Sequence, residues 1–262
     1  MLENALIGYS GFVGSTLSRQ AAFKYNYRSS NIHELGAIPY GAVYCCAAPA
    51  KKWIANKDPE SDLKNIQQLI GHLERVTCNT FVLISTVDVF KDPVGVDENS
   101  LVEEEDLHAY GLNRRLLEKF VESHFKRSLV VRLPGLVGPS LQKNLIFDFH
   151  NNNNLNAFDS RGLFQFYPMV NLWLDIQTAL AGDLQLLHLT AEPISVSEVA
   201  SQGFNMRFEQ HVGETYPRYD MRSIHGELFG GQSNYQYSKR ESILAIRAYA
   251  QSEPHNFLTK GK

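Results

Sequence analysis

The sequence predicts an α/β fold, a Rossmann-type doubly wound parallel sheet with a smaller C-terminal region. Three observations carry this. Strand-like and helix-like segments alternate from residue 4 to residue 135. The strand-like segments are apolar on both faces, as in parallel strands covered by helices on both sides. A glycine-rich turn, GYSGFVG at 8–14, joins the first strand to the first helix.

The elements follow in order. NALIG, 4–8, is a short buried strand, and GFVGSTLSRQAAFK has helical spacing of its apolar residues. YNYRSS, 25–30, is a short second strand, and AVYCCAA, 42–48, a third. PESDLKNIQQLIGHLERV is an amphipathic helix with Leu63, Ile66, Leu69, Ile70 and Leu73 on its apolar side. Pro59 sits in its first turn, where a missing N–H costs nothing. TFVLIST, 80–86, is a β-branched and aromatic strand, followed by the long helix LHAYGLNRRLLEKFVESHF and the strand SLVVRLPG, stopped by Pro134. Beyond 135 the alternation breaks. NNNN at 151–154 reads as a surface loop or a frayed helix end, NLWLDIQTALAGD as a helix and LQLLHLT as a strand. Ser195 and Glu198 have capping-box spacing, and SKRESILAIRAYA is the last helix. The expected division is a dinucleotide-binding domain over 1–140, with 170–190 returning to the sheet, and a substrate region over 141–262.

Bulk composition narrows the function. The 262 residues carry a formal net charge of -3 without a basic run, which argues against nucleic-acid and membrane-surface partners. The N-terminus enters an apolar strand directly, without the basic start and cleavage site of a signal peptide, and no apolar run reaches bilayer length. Cys45, Cys46 and Cys78 are odd in number and lack metal-ligand spacing, so buried thiols in a cytoplasmic protein are expected, and no metal. His33, His72 and His124 show no ligand pattern and read as surface or packing residues.

Glycines at 8, 11 and 14 let the chain turn sharply and bring bare backbone up to a diphosphate at a helix N-terminus. Ser10, Phe12 and Val13 complete the cradle. About twenty residues on, where an acidic residue would grip an adenosine ribose, stand Arg28, Ser29 and Ser30. Arginine with serines suits a 2′-phosphate, so NADP(H) is favoured over NAD(H). Ser85 and Thr86 end the strand of 80–86, and Tyr110 opens a long helix 24 residues later. Both hydroxyls can converge at the carboxyl edge of the sheet, Thr86 polarising a carbonyl and Tyr110 supplying its proton.

IGYSGFVG, YCCAAPA, LISTVDVF, AYGLNRRLLEKF and VVRLPGLVGP together resemble the extended short-chain dehydrogenase/reductases, the group that contains the NAD-dependent epimerase/dehydratases. Within that group the pattern is most similar to dTDP-4-dehydrorhamnose reductase-like proteins. The resemblance covers roughly residues 5 to 140. It implies Thr86 and Tyr110 as the catalytic pair, Ala47, Ala48 and Pro49 lining the cofactor, Asn65 on the following helix, and Pro134 and Gly135 beside the nicotinamide. It also implies a homodimer through long helices, here including 107–126. Two departures stand out. The stretch between the second and third strands is short, and Arg114 occupies the position of the family's lysine, with Arg115 beside it. Arginine retains charge and donors, suited to a ribose contact and to stabilising tyrosinate, but does not relay protons.

Substrate contacts are expected from Lys52 and Trp53, and from Asn144, Arg161 and Tyr167, since cations and aromatic rings suit a nucleotide-sugar. The expected activity is NAD(P)-dependent oxidoreduction of a sugar or nucleotide-sugar. Epimerase or dehydratase chemistry is one alternative. Dinucleotide sensing without turnover, suggested by Arg114, is the other.

Overall fold

The computed structural model describes residues 2–231 and 233–255. Its chain divides into two compact units. The first comprises 1–92, 98–133 and 172–188, and the second comprises 93–97, 134–171 and the chain from 189 onward.

The first unit holds a six-stranded, wholly parallel sheet. Its strands are β1 (Ala5–Ile7), β2 (Tyr25–Tyr27), β3 (Tyr40–Cys45), β4 (Cys78–Thr86), β5 (Ser128–Leu133) and β6 (Leu186–His188). They are ordered β6-β5-β4-β3-β1-β2. Its helices are α1 (Phe12–Gln20), α2 (Lys52–Lys57), α3 (Pro59–Leu73), α4 (Ala109–His124) and α5 (Leu172–Ala181). One face of the sheet packs Ile66, Leu69 and Leu73 of α3 and Leu117 and Val121 of α4 on Ile7, Val43, Phe81 and Leu83. On the other face α5 touches α1 and β3: the Trp173 amide donates to Gln20 at 3.0 Å, and Gln177 donates to the Tyr44 hydroxyl at 3.1 Å. Helices on both faces explain why the strands carry no polar alternation.

The short stretch after β2 has a topological consequence. Residues 28–39 contain only the helical turn Ile32–Glu34 and no strand. The chain therefore passes from β2 directly to β3 on the other side of β1, and the strand order reverses between β1 and β3. Ligands of open parallel sheets sit outside the carboxyl ends of strands at such a reversal. The helix α2, absent from the sequence reading, is too short for a period to show, and it buries only Ala55 while Trp53 and Ile54 face out.

In the second unit, Gly135–Val137 pairs in parallel with Phe166–Pro168, Leu163–Phe164 pairs antiparallel with Ile194–Ser195, and Val94–Val96 pairs with Asp220–Met221. Gln165 is the buried spoke: its amide donates to Thr190, Ala191 and Met221 and accepts from the Met221 amide. Capping boxes form at Ser195/Glu198 and at Ser238/Glu241, the latter starting the helix Lys239–Ser252. The asparagine run follows the helix Leu145–His150 as a turn, with Asn152 and Asn154 in left-handed backbone, which asparagine tolerates.

A buried ionic network joins α4 to β4 and β5. Glu118 accepts from Arg132 at 3.0 and 2.7 Å, from Arg115 at 2.9 Å and from the Ser85 hydroxyl at 2.5 Å. Arg132 also lies 3.3 Å from a ring nitrogen of His188 and over the Phe90 ring. Burial pushes the Glu118 carboxyl up, but the Arg132, Ser85 and Arg115 donors outweigh it and hold the carboxyl below its ordinary 4.5. The charged form is thus the one the fold binds. Its contribution is complete above pH 4.5 and is lost as pH falls through the lowered folded-state value. Glu118→Gln leaves Arg132 buried with a weakened partner and is expected to cost about 3–5 kcal/mol in urea unfolding at pH 7. The gap between variant and wild type should narrow on acidification below pH 4.5.

Candidate active site

The glycine turn is shaped by contacts that exclude side chains. Gly8 follows β1 at φ +85, and its amide donates to the Tyr27 carbonyl at 2.8 Å. A Cβ there would lie 2.7 Å from the Cys46 carbonyl group, at the end of β3. A Cβ on Gly14 would lie 2.1 Å from the Gly8 carbonyl oxygen, so helix α1 packs directly on the turn. Gly11 caps α1 without a side-chain hydrogen bond, and no acidic residue stands in the first turn. The residues present therefore fit a diphosphate: bare backbone, a helix N-terminus uncapped by a side chain, and no competing anion. At the end of β2, Arg28 is exposed, donates from Nε to Ser30 at 3.0 Å and lies 5.8 Å from the centre of the Tyr9 ring. Ser10 and Ser29 are exposed beside the cradle. Phe12 and Val13 are half-buried in the first turn of α1, and Ala47 and Ala48 pack against the core after β3.

At the carboxyl end of β4, Thr86 turns into a helical turn, Val87–Val89, and accepts from the Asp88 amide at 3.1 Å. The Thr86 side chain also acts on the Tyr110 phenol, favouring its ionised form. Helix α4 starts at this point because the His108 ring nitrogen Nδ1 accepts from the Gly111 amide at 3.0 Å. The Asn56 side chain of α2 accepts from the Tyr110 amide at 3.0 Å. Glycine at 111 is required by closeness: a Cβ would lie 2.1 Å from the Asp88 carbonyl oxygen. This packing brings the Thr86 and Tyr110 hydroxyls together.

Arg114 is buried. Its Nη1 donates to Asp62 and, at 3.2 Å, to the Tyr110 carbonyl. Its Nη2 donates to the other Asp62 oxygen at 3.0 Å and to the Pro49 carbonyl. The guanidinium lies over the Tyr110 ring, 3.9 Å from its centre. Asn113 adds a 2.8 Å bond to Asp62. The terminal nitrogens of Arg114 are thus committed to protein oxygens, and only Nε–H lacks a partner among the described residues. Burial raises the Tyr110 pKa above its ordinary value, while Arg114 and the Thr86 side chain pull it back and Asp88 adds to the rise. Tyr110 is therefore a neutral phenol near pH 7, a proton donor.

Other expected residues have different surroundings. Asn65 faces solvent on α3, because the buried stripe of that helix runs through Asp62, Ile66, Leu69 and Leu73, and Asp62 is the polar residue brought to the site. Ser85 is directed to Glu118 rather than toward Tyr110. Lys52 pairs with Asp88 at 2.7 Å, and Trp53 is exposed. In the second unit, Asn144 is used as a helix cap, accepting from the Ile146 and Phe147 amides and donating to the Leu136 carbonyl. Arg161 is bound by Asp159 and the Gly213 carbonyl, and Tyr167 is fully buried against Tyr237. These three substrate candidates are occupied by structural contacts that a charge or ring in isolation does not reveal. Pro134 and Gly135 also belong to the second unit, where a Cβ on Gly135 would lie 2.6 Å from the Gln165 carbonyl. Asp62, Asp88, His108 and Asn56 were missed as site residues. Asp62 could have been found by its place on the buried face of an amphipathic helix, where a carboxylate needs a cation.

Among sequences, no family model and no curated protein matches the chain. Among solved structures it is similar to a dTDP-4-dehydrorhamnose reductase from Clostridium acetobutylicum, with TM-score 0.71, 16% identity and coverage of 94% of this chain and 97% of that one. It is similar to the Bordetella bronchiseptica enzyme WbmG in complex with NAD, with TM-score 0.75, 15% identity and coverage of 96% and 95%. It is also similar to RMD from Pseudomonas aeruginosa complexed with NADPH, with TM-score 0.68, 18% identity and coverage of 95% and 99%. The fold implied by the resemblance to the extended short-chain dehydrogenase/reductases is the fold observed.

Gly111→Ala tests the packing that aligns the hydroxyl pair. The backbone at Asp88 has to give way, so a loss of about 1–3 kcal/mol is expected in chemical unfolding. A stability equal to wild type would show that α4 can lift off Asp88 without cost.

Proposed function

We propose that this chain is an NAD(P)-dependent reductase of a sugar or nucleotide-sugar carbonyl. The observation that supports it most is the meeting of the Thr86 and Tyr110 hydroxyls at the carboxyl end of β4, in the same unit as the glycine cradle at the end of β1. Gly8, Ser10, Gly11, Phe12, Val13 and Gly14 would hold the diphosphate, with Ala47, Ala48 and Pro49 along the dinucleotide. Arg28 with Ser29 and Ser30 would take a 2′-phosphate, favouring NADP(H). Neighbouring structures hold NADPH in one case and NAD in others, which fits either dinucleotide. MoeE5 is described in complex with UDP-glucuronic acid and NAD, which supports a nucleotide-sugar as the substrate class.

When bound, the nicotinamide supplies or accepts a hydride. Thr86 orients the substrate oxygen, and Tyr110 gives it a proton. Neutral Tyr110 favours reduction, because oxidation needs tyrosinate. Arg114 acts on Tyr110 as a buried charge against its ring rather than through a hydrogen bond to the dinucleotide. The sheet unit serves as the dinucleotide-binding domain and the later residues as the substrate region. Cys45, Cys46 and Cys78 are free thiols, which fits a cytoplasmic enzyme. Among the described residues, no helix is long and apolar enough to cross a membrane. Leu112 and Leu116 are exposed one turn apart on α4 and suit a homodimer through the long helices. A second reading, dinucleotide binding without turnover, draws on Arg114, whose terminal nitrogens are spent on Asp62 and carbonyl groups.

Two measurements test the proposal. Tyr110→Phe is expected to slow reduction of a responsive keto-sugar by a factor of roughly 10² to 10⁴ while leaving dinucleotide affinity unchanged. Turnover that survives this change would place the chemistry elsewhere, and wild type inert toward the whole panel would favour the second reading. Fluorescence titration should show NADPH bound more tightly than NADH, and Arg28→Ala should weaken NADPH selectively by about 1.5–3 kcal/mol.

A further inference from the structure

The position that carries a lysine in the resembling family carries Arg114, and the site is still supplied with a lysine from elsewhere in the chain. Lys52 opens helix α2, and its Nζ lies 2.7 Å from Asp88 Oδ1. Asp88 is joined to the reacting hydroxyls through its backbone, its amide donating to Thr86 at 3.1 Å. Its carbonyl sits where a Cβ on Gly111 would be, against the first turn of α4. One helical turn after Lys52, Asn56 accepts from the Tyr110 amide, so positions i and i+4 of α2 reach the turn after β4 and the start of α4 respectively. Helix α2 thus contributes one contact to Asp88, through Lys52, and one to Tyr110, through Asn56. Lys52 remains about one-third exposed, with a route to water.

We infer that Lys52, anchored by Asp88, is the positioning cation of the Tyr110 site: it biases the ionisation of the phenol and returns a proton to it. This rests on the reductase reading. Reduction of a carbonyl by the reduced dinucleotide transfers one hydride to carbon and consumes one proton at oxygen. Tyr110 supplies that proton and becomes tyrosinate. The Lys52 ammonium restores it, directly or through an intervening water, and the neutral amine recovers a proton from solvent. Arg114 cannot serve, because a guanidinium does not deprotonate and this one is bound at both terminal nitrogens. Among the described residues, the charged and titratable groups that bear on the same site are Asp88 after β4, His108 capping α4, and Tyr110 and Arg114 within α4. Asp62 of α3 is paired with Arg114. Burial lowers the His108 pKa and Lys52 lowers it further, so the imidazole is neutral near pH 7 and does not compete as the cation.

The test compares Lys52→Arg, Lys52→Met and Lys52→Ala in the full chain. Ionisation of Tyr110 is followed by NMR of protein labelled at the tyrosine ring carbon without dinucleotide, its signal identified by loss in Tyr110→Phe. Arginine stays charged at every accessible pH, so Tyr110 should ionise about one pH unit lower in Lys52→Arg than in Lys52→Met. Under turnover, Lys52→Ala should lose roughly 10-fold to 100-fold in kcat with little change in KM, and added methylammonium should restore part of it. Lys52→Arg should not restore kcat, since it keeps the charge without the exchangeable proton. Equal Tyr110 titration in the Arg and Met variants overturns the inference whether or not the protein turns over. A raised KM with unchanged kcat also overturns it, making Lys52 a substrate contact. A split titration with an inert wild type supports the charge assignment and sinks the reductase reading alone.

Discussion

The buried pair of Arg114 and Asp62 is the constraint on which the site depends. It ties three separate pieces of chain: α4 through Arg114, α3 through Asp62, and the segment after β3 through the Pro49 carbonyl. A buried ion pair is stabilising only when its geometry is good and its remaining donors are satisfied. Here the planar guanidinium meets both carboxylate oxygens and two carbonyl oxygens, and Asn113 binds the same carboxylate. A lysine has three donors on one atom and cannot span that set of partners in one plane. The arginine is therefore matched to Asp62, and its flat face is what remains for Tyr110.

This match changes how charge is arranged around the phenol. Burial disfavours tyrosinate and Asp88 adds to that effect, while Arg114, the Thr86 side chain and, least of these, Lys52 oppose it. Arg114 is enclosed and has no route to exchange a proton with solvent, whereas Lys52 is partly exposed. On the reductase proposal, the two tasks that one lysine would combine, a fixed positive field and a mobile proton, fall to two residues from different helices.

The sheet supplies the frame for this arrangement. With no strand between β2 and β3, the reversal of strand order lies beside β1, so the glycine turn lies at the reversal and β4 lies one strand beyond β3. The second ionic network, Glu118 with Arg132 and Arg115, clamps α4 to β4 and β5 from below. It also takes the Ser85 hydroxyl, which leaves Thr86 as the strand-end hydroxyl directed to Tyr110.

What the sequence determined by itself is what short-range rules govern. Apolar strands, helical periods and capping boxes depend on neighbours within a few residues, and a glycine forced by close approach can be read from its place between a strand and a helix. These were enough for the sheet and for the glycine turn at Gly8, Gly11 and Gly14 between β1 and α1. The tertiary structure alone decided which partner each polar side chain takes. Asp62 meets Arg114 across 52 positions, and Lys52 meets Asp88 across 36. Asn144, Arg161 and Tyr167 were equally ambiguous, because a cap, an ion pair and a buried ring use the same side chains as a binding site. The physical reason is that desolvation makes a buried charge choose the nearest complementary group in space, and distance in space is not encoded in spacing along the chain.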